Sequence, residues 1–152
     1  MIEMKDLAEA SVAIVKAQVH HVAEVCTWLS EEHTGEGGGL YDNAHMLPKA
    51  QAEGRLYCFL SAEMPVGFVV VHEVSGSISL LEVHPGHRRK GLGKQLASYA
   101  IALLLSGGAA CIEVECTSRE SESLFRSLGF RQDSRPPKSP WSNPKLRLRA
   151  PC

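Results

Sequence analysis

An excess of either charge is what this chain most plainly lacks: 16 Lys and Arg stand against 17 Asp and Glu, a net charge of −1 at pH 7. That balance leaves no broad basic surface of the kind a nucleic-acid-binding protein uses, so nucleic acid is not an expected partner. No apolar run approaches the ~18 residues of a membrane span, and the opening Met1-Ile2-Glu3-Met4-Lys5-Asp6 has no basic segment followed by an apolar one. A membrane partner is therefore not expected, and the cytoplasm is the expected location. The five cysteines (Cys26, Cys58, Cys111, Cys116, Cys152) are odd in number, form no Cys-x-x-Cys pair and have no zinc spacing. Free thiols in a reducing compartment and no metal are the expectation. Repeats, low-complexity tracts and a His/Asp/Ser order suggesting a triad are missing as well. What remains is 152 residues, 44% apolar, enough for one core, so residues 1–152 are expected to form a single domain.

Apolar spacing divides the chain into alternating elements. Residues 12–15 read as strand β1, and Val19, Val22, Ala23, Cys26 and Leu29 as a helix α1 reaching about residue 32. Residues 33–41 hold four glycines and predict a mobile loop. Residues 43–53 suit a short α2 that Pro48 would interrupt. Residues 56–61 (β2), 66–74 (β3) and 77–83 (β4) predict an antiparallel meander, with turns at Glu63-Met64-Pro65 and Ser75-Gly76. Leu92, Leu96, Tyr99, Ala100, Leu103 and Leu104 form one helical stripe (α3) that Gly107-Gly108 ends. Residues 110–116 form β5, with Cys111 and Cys116 read as core on its apolar side. Thr117 with Glu120 predicts a capping box for α4, which carries Leu124, Phe125 and Leu128 and stops at Gly129. Phe130 and residues 145–149 supply the last strands across a proline-rich loop. Periodicity alone gives the fold class as α+β.

The most informative segment joins β4 to α3. Main-chain N–H groups in a first helical turn have no intrahelical acceptor, and the helix dipole adds partial positive charge there, so such an end binds phosphate. Gly91 and Gly93 place no Cβ against an approaching diphosphate, while Arg88, Arg89, Lys90 and Lys94 supply charge. The segment lacks the spacing and the hydroxyl of a P-loop, and Leu96 stands where a dinucleotide fingerprint needs glycine.

The order Val83, Pro85, Arg88-x-x-Gly91-x-Gly93 resembles the acyl-CoA pyrophosphate motif of the GNAT N-acetyltransferase superfamily, Arg/Gln-x-x-Gly-x-Gly/Ala. A second block resembles that family's strand, helix and Leu-Tyr-x-x-x-Gly-Phe ending: Ile112-Glu113-Val114, then Leu124-Phe125-Arg126-Ser127-Leu128-Gly129-Phe130. Together the blocks cover residues 77–131. The resemblance implies a central mixed sheet of six to seven strands, splayed between β4 and β5 and flanked by about four helices. It implies acetyl-CoA as acyl donor, with its diphosphate on Arg88, Arg89, Lys90, Gly91, Leu92, Gly93 and Lys94. The pantetheine arm would lie along the main chain of Leu81, Glu82 and Val83, where an N–H near Val83 serves as oxyanion donor. Ser118 and Phe125 complete the expected coenzyme contacts. Phe125 stands where most members carry the tyrosine assigned as acid for the thiolate, and Ser118 replaces a frequent asparagine.

Acetyl transfer to an amine needs a neutral nucleophile, and deprotonating an ammonium of pKa about 10.4 at pH 7 costs about 4.6 kcal/mol. Releasing a thiolate of pKa about 8.5 costs only about 2 kcal/mol, so a base matters more than an acid. By the resemblance Glu113, twelve residues before Phe125, is the first candidate base, because some N-terminal-amine acetyltransferases carry a glutamate there. Glu115 shares its face by strand alternation, and Glu82 is a third candidate. The pair Glu113 and Glu115 equally suits a solvated strand edge. His84 and His87 flank the turn, as plain surface or as charge near phosphate; Trp28 reads as core, and Trp141 as lining the acceptor side or anchoring its loop. Glu31, Glu32, Glu36 and Asp42 give a mild preference for a cationic acceptor, a primary amine of a small molecule or peptide. A homodimer is the remaining partner the resemblance suggests. The rival readings are an acyl-CoA-binding module without catalysis and a ribosome- or RNA-associated factor.

Overall fold

The computed structural model describes residues 13–33, 41–116, 118–132 and 145–149. The order of elements is β1 (Ile14–Lys16), α1 (Val19–His33), a 3-10 turn (Tyr41–Met46), α2 (Leu47–Ala52), β2 (Leu56–Ser61), β3 (Met64–His72), β4 (Ser77–Val83), a second 3-10 turn (Pro85–His87), α3 (Leu92–Ser106), β5 (Cys111–Glu115), α4 (Arg119–Ser127), β6 (Arg131–Gln132) and β7 (Lys145–Arg149). The seven strands form one mixed sheet in the order β1-β2-β3-β4-β5-β7-β6. The predicted sheet, with four α-helices among the described residues, is the one observed. The predicted glycine-rich loop falls mainly on residues 34–40, outside the described residues, as do Glu36 and Trp141.

Two compact units divide the described chain, one from Met1–Val70 with Leu80–Leu96, the other from Val71–Ser79 with Ala97–Cys152. In the first, α1 turns Val22, Val25, Trp28 and Leu29 inward against Leu56, Cys58, Phe68 and Val70 of β2 and β3, with Leu47 and Ala50 of α2 closing the cluster. Burying each large side chain there contributes about 1.5–3 kcal/mol. Trp28 is a core residue as expected, its indole N–H donating to the Pro65 carbonyl at 3.1 Å. In the second unit Ile112 and Val114 of β5 and Leu146 of β7 are buried, and Phe125 of α4 meets Phe130 edge to face at 5.2 Å.

Four local expectations are corrected. Pro48 does not interrupt α2 but sits in its first turn, where the missing N–H costs nothing. The β2–β3 hairpin turns at Ala62-Glu63, both left-handed (φ 50° and 68°), which frees Met64 and Pro65 to begin β3. The cap of α4 lies one residue later than predicted: Ser118 Oγ accepts from the Ser121 N–H (3.0 Å) while the Ser118 N–H donates to Ser121 Oγ (3.2 Å). Serine stands in for the glutamate the motif usually carries, which is why the spacing points elsewhere. Cys111 and Cys116 are five residues apart and cannot share a side of β5; Cys111 has the parity of Glu113, and only Cys116 is buried.

Candidate functional site

The end of β4 is tied down before the basic turn begins. The His84 N–H donates to the Val66 carbonyl of β3 at 2.7 Å, His84 Nδ1 accepts from the Gly86 N–H at 3.0 Å, and the His87 N–H returns to the His84 carbonyl at 2.8 Å. His84 is therefore a cap, its ring also 5.3 Å from Trp28 and 5.5 Å from His87. Burial, with help from Lys90 and His84, holds the His87 imidazole below its ordinary pKa and favours its neutral form.

Beyond His87 the backbone takes a sparsely populated path: Arg89 has φ 66° and Gly91 φ 80°. A left-handed arginine costs about 1–3 kcal/mol and persists only where its surroundings impose it, a pattern common at ligand-binding turns. A Cβ built on Gly91 meets nothing within 4 Å among the described residues. Helix α3 then starts with the Gln95 N–H donating to the Gly91 carbonyl at 3.1 Å, which leaves the N–H groups of Leu92, Gly93 and Lys94 without intrahelical acceptors. The first turn carries no acidic residue, and Arg89, Lys90 and Lys94 are exposed around it. Such a surface attracts an anion.

A glycine outside the expected site seats this helix. On Gly67 of β3 a Cβ would come within 2.9 Å of Leu96 Cδ1 and 3.3 Å of the Glu82 carbonyl oxygen, so α3 approaches the sheet through that gap. A glycine inside a strand pattern is the signal that marks such a close approach.

Arg88 does not point its charge away from the protein. Its Nε donates to the Val83 carbonyl at 2.9 Å and its Nη2 pairs with Glu82 Oε1 at 2.8 Å, while the Val83 N–H donates to the same carboxylate oxygen at 3.2 Å. Since the His84 N–H points to β3, strand alternation turns both main-chain groups of Val83 to the opposite edge of β4, and both are engaged there. The Val83 N–H itself is thus already bonded to the Glu82 carboxylate.

In the second unit β4 and β5 run parallel with Ser77 opposite Glu113 and Ile78 opposite Val114; the pairing ends there, leaving Ser79 to Val83 to run on for about 17 Å. Glu113 therefore sits one residue from the point where the ladder stops. Its N–H donates to the Gly76 carbonyl (3.0 Å), and its carboxylate lies 3.8 Å from Arg147 Nη2 and 3.9 Å from Lys145 Nζ of β7. Glu115, on the same face, is exposed. Ser118 is committed to the α4 cap, and the Phe125 ring is 1% exposed. That ring packs edge to face on Phe130. Burial pushes the Cys58 thiol up to about 12 and raises Cys26 and Cys116, so these three thiols are neutral at pH 7. Among the described residues no group of three or more His, Cys, Asp or Glu is placed to hold a metal, and no helix is long and apolar enough to cross a membrane.

Residues 22–130 match the family model described as acetyltransferase (GNAT) family. The chain belongs to the GNAT acetyltransferase family. Its GNAT fold is shared with solved structures of low sequence identity. The PaiA N-acetyltransferase of Thermoplasma acidophilum, solved in complex with coenzyme A, superposes with a TM-score of 0.69 at 12% identity, covering 90% of this chain and 98% of that one. The Drosophila melanogaster polyamine N-acetyltransferase, which forms N-acetylagmatine, gives 0.64 at 17% identity, covering 90% and 99%. Among curated proteins, N-alpha-acetyltransferase 30 of Xenopus laevis is 36% identical over 62 residues, 40% of this chain. The chain spans 23% of the length of that relative.

Proposed function

We propose that this GNAT acetyltransferase moves an acetyl group from acetyl-CoA directly to a primary amine of a small molecule or peptide, within a single domain spanning residues 1–152. The observation that carries the reading is the left-handed turn at Arg89 and Gly91, which opens onto the N–H groups of Leu92, Gly93 and Lys94 with no acidic side chain in the first turn. Those amides hold the diphosphate, with Arg88, Arg89, Lys90 and Lys94 supplying charge. The pantetheine arm runs along the β4 edge at Leu81, Glu82 and Val83, where a main-chain N–H near Val83 serves as oxyanion donor.

Glu113, beside the end of the β4–β5 ladder, accepts the acceptor amine's proton, directly or through a water shared with Glu115. The neutral nitrogen attacks the thioester carbonyl, the nitrogen made cationic by the new bond releases its extra proton to solvent, the tetrahedral oxyanion collapses, the carbon–sulfur bond breaks, and the thiolate takes a proton from solvent because Phe125 carries no hydroxyl. No covalent enzyme intermediate forms. Ser118 enters only through the exposed mouth of α4, and Phe125 as wall. Exposed Glu31 fits a cationic acceptor, the four described cysteines are free thiols, and a cytoplasmic, reducing setting suits both. The experiment is thiol release from acetyl-CoA against a panel of polyamines, aminoglycosides, amino acids and peptides; release on one class supports the reading, and none with any amine refutes the catalytic part.

A second reading, an acyl-CoA-binding module without turnover, is favoured by the buried Phe125 and by the two cations facing Glu113. Coenzyme binding by calorimetry without thiol release on any amine distinguishes it.

A further inference from the structure

We infer that Glu82 is a positioning residue that limits coenzyme affinity by closing the edge of β4 with Arg88, an inference that rests on the proposed acyl-CoA reading. The two side chains satisfy both main-chain groups of Val83: the Glu82 carboxylate takes its N–H at 3.2 Å, and the Arg88 Nε binds its carbonyl at 2.9 Å. A 2.8 Å ion pair joins the two caps to one another. The arrangement does for Val83 what a neighbouring strand would do, using two side chains of the same edge. The Glu82 side chain is 17% exposed and that of Arg88 41%, so the clasp lies at the rim, within reach of an incoming ligand.

Two consequences oppose the coenzyme. An extended arm pairing along β4 meets main-chain groups at Val83 that are already bonded, so the clasp opens before that rung forms. The guanidinium nearest the turn is also neutralised by Glu82, whose negative charge faces an anionic ligand. Opening releases Arg88 toward the diphosphate at the cost of one partly exposed ion pair and the two hydrogen bonds to Val83. Removing Glu82 removes part of that cost beforehand.

The test uses coenzyme A binding by calorimetry on the full chain, with Glu82→Ala and Glu82→Gln beside the unsubstituted protein. Both variants are expected to bind more tightly, by up to about fivefold for Glu82→Ala and less for Glu82→Gln, whose amide oxygen still accepts from Val83. A gain in affinity is a readout that simple destabilisation does not produce, and unchanged or weaker binding in both variants overturns the inference. A second measurement needs no coenzyme: amide hydrogen exchange in the ligand-free protein. The Val83 amide is expected to be protected and to exchange faster in Glu82→Ala. Fast Val83 exchange in the unsubstituted protein overturns the clasp itself, whereas a protected Val83 in a protein that fails to bind coenzyme A overturns the acyl-CoA reading and leaves the clasp standing.

Discussion

Replacing Gly91 by Asn and by Asp separates the backbone of the turn from its charge. Both residues tolerate the left-handed region better than others, have nearly the same shape, and enter at φ 80° where a Cβ meets no atom of the described residues within 4 Å. Neither therefore clashes, and each carries a conformational cost of at most about 1–2 kcal/mol relative to glycine. For Gly91→Asn that cost, if it falls wholly on the binding-competent turn, weakens coenzyme A by about thirtyfold or less. Gly91→Asp adds a carboxylate at the position of the diphosphate. Two like charges about 4 Å apart in surroundings of effective dielectric about 20 repel by about 4 kcal/mol, roughly a further thousandfold. Calorimetry with coenzyme A on the two variants, at low and high salt, reads the difference directly. Equal losses in the two variants would mean that bulk rather than charge matters at Gly91 and would refute the placement of the phosphates; an Asp variant that binds like the unsubstituted protein would do so more severely.

Other expected outcomes follow from the same geometry. Glu113→Gln should lower turnover most at neutral pH and less at high pH, where more of the amine is already neutral, while its loss of two partly exposed ion pairs leaves the melting temperature nearly unchanged; a pH-independent loss would assign Glu113 a structural role. Gly67→Ala should destabilise by about 1–3 kcal/mol and weaken coenzyme binding, because the new methyl meets Leu96 and the Glu82 carbonyl beneath α3; an unchanged melting curve would contradict that packing. His21 is buried, accepts the Gln18 N–H on Nδ1, and is held below its ordinary 6.5 by burial, then by His20. Its unfolded form binds the proton more readily than its folded form, so its contribution is complete above about 6.5 and is lost as pH falls through the lower folded value. Melting followed between pH 7.5 and 5 should show a steeper acid loss in the unsubstituted protein than in His21→Gln, and parallel curves would remove His21 from the account.

Much of the fold is legible in the sequence because long periodic runs bury one face. The α3 stripe and the β2–β4 meander stand where apolar spacing predicts them, and the glycine turn between β4 and α3 follows from Arg88, Gly91 and Gly93. Local chemistry is less legible wherever an uncommon residue fills a common structural role. Alanine and glutamate occupy a left-handed hairpin, Ser121 replaces glutamate in the α4 cap, and Pro48 starts a helix rather than breaking one. Motif spacing presents the site as a set of side chains around a ligand, yet two of those side chains are engaged with the protein itself. Arg88 and Glu82 close on Val83, a pairing six residues apart across a turn that no periodic pattern encodes. The motif position of Phe125 suggests a coenzyme contact, while the packing of Phe130 against its ring depends on the course of the chain after Gly129.

The most direct measurement of the central claim is a crystal structure of the chain with acetyl-CoA bound. The account predicts diphosphate density on the amides of Leu92, Gly93 and Lys94, with the arm running along the edge of β4. Coenzyme bound at any other surface, with those amides in contact only with solvent, would contradict it.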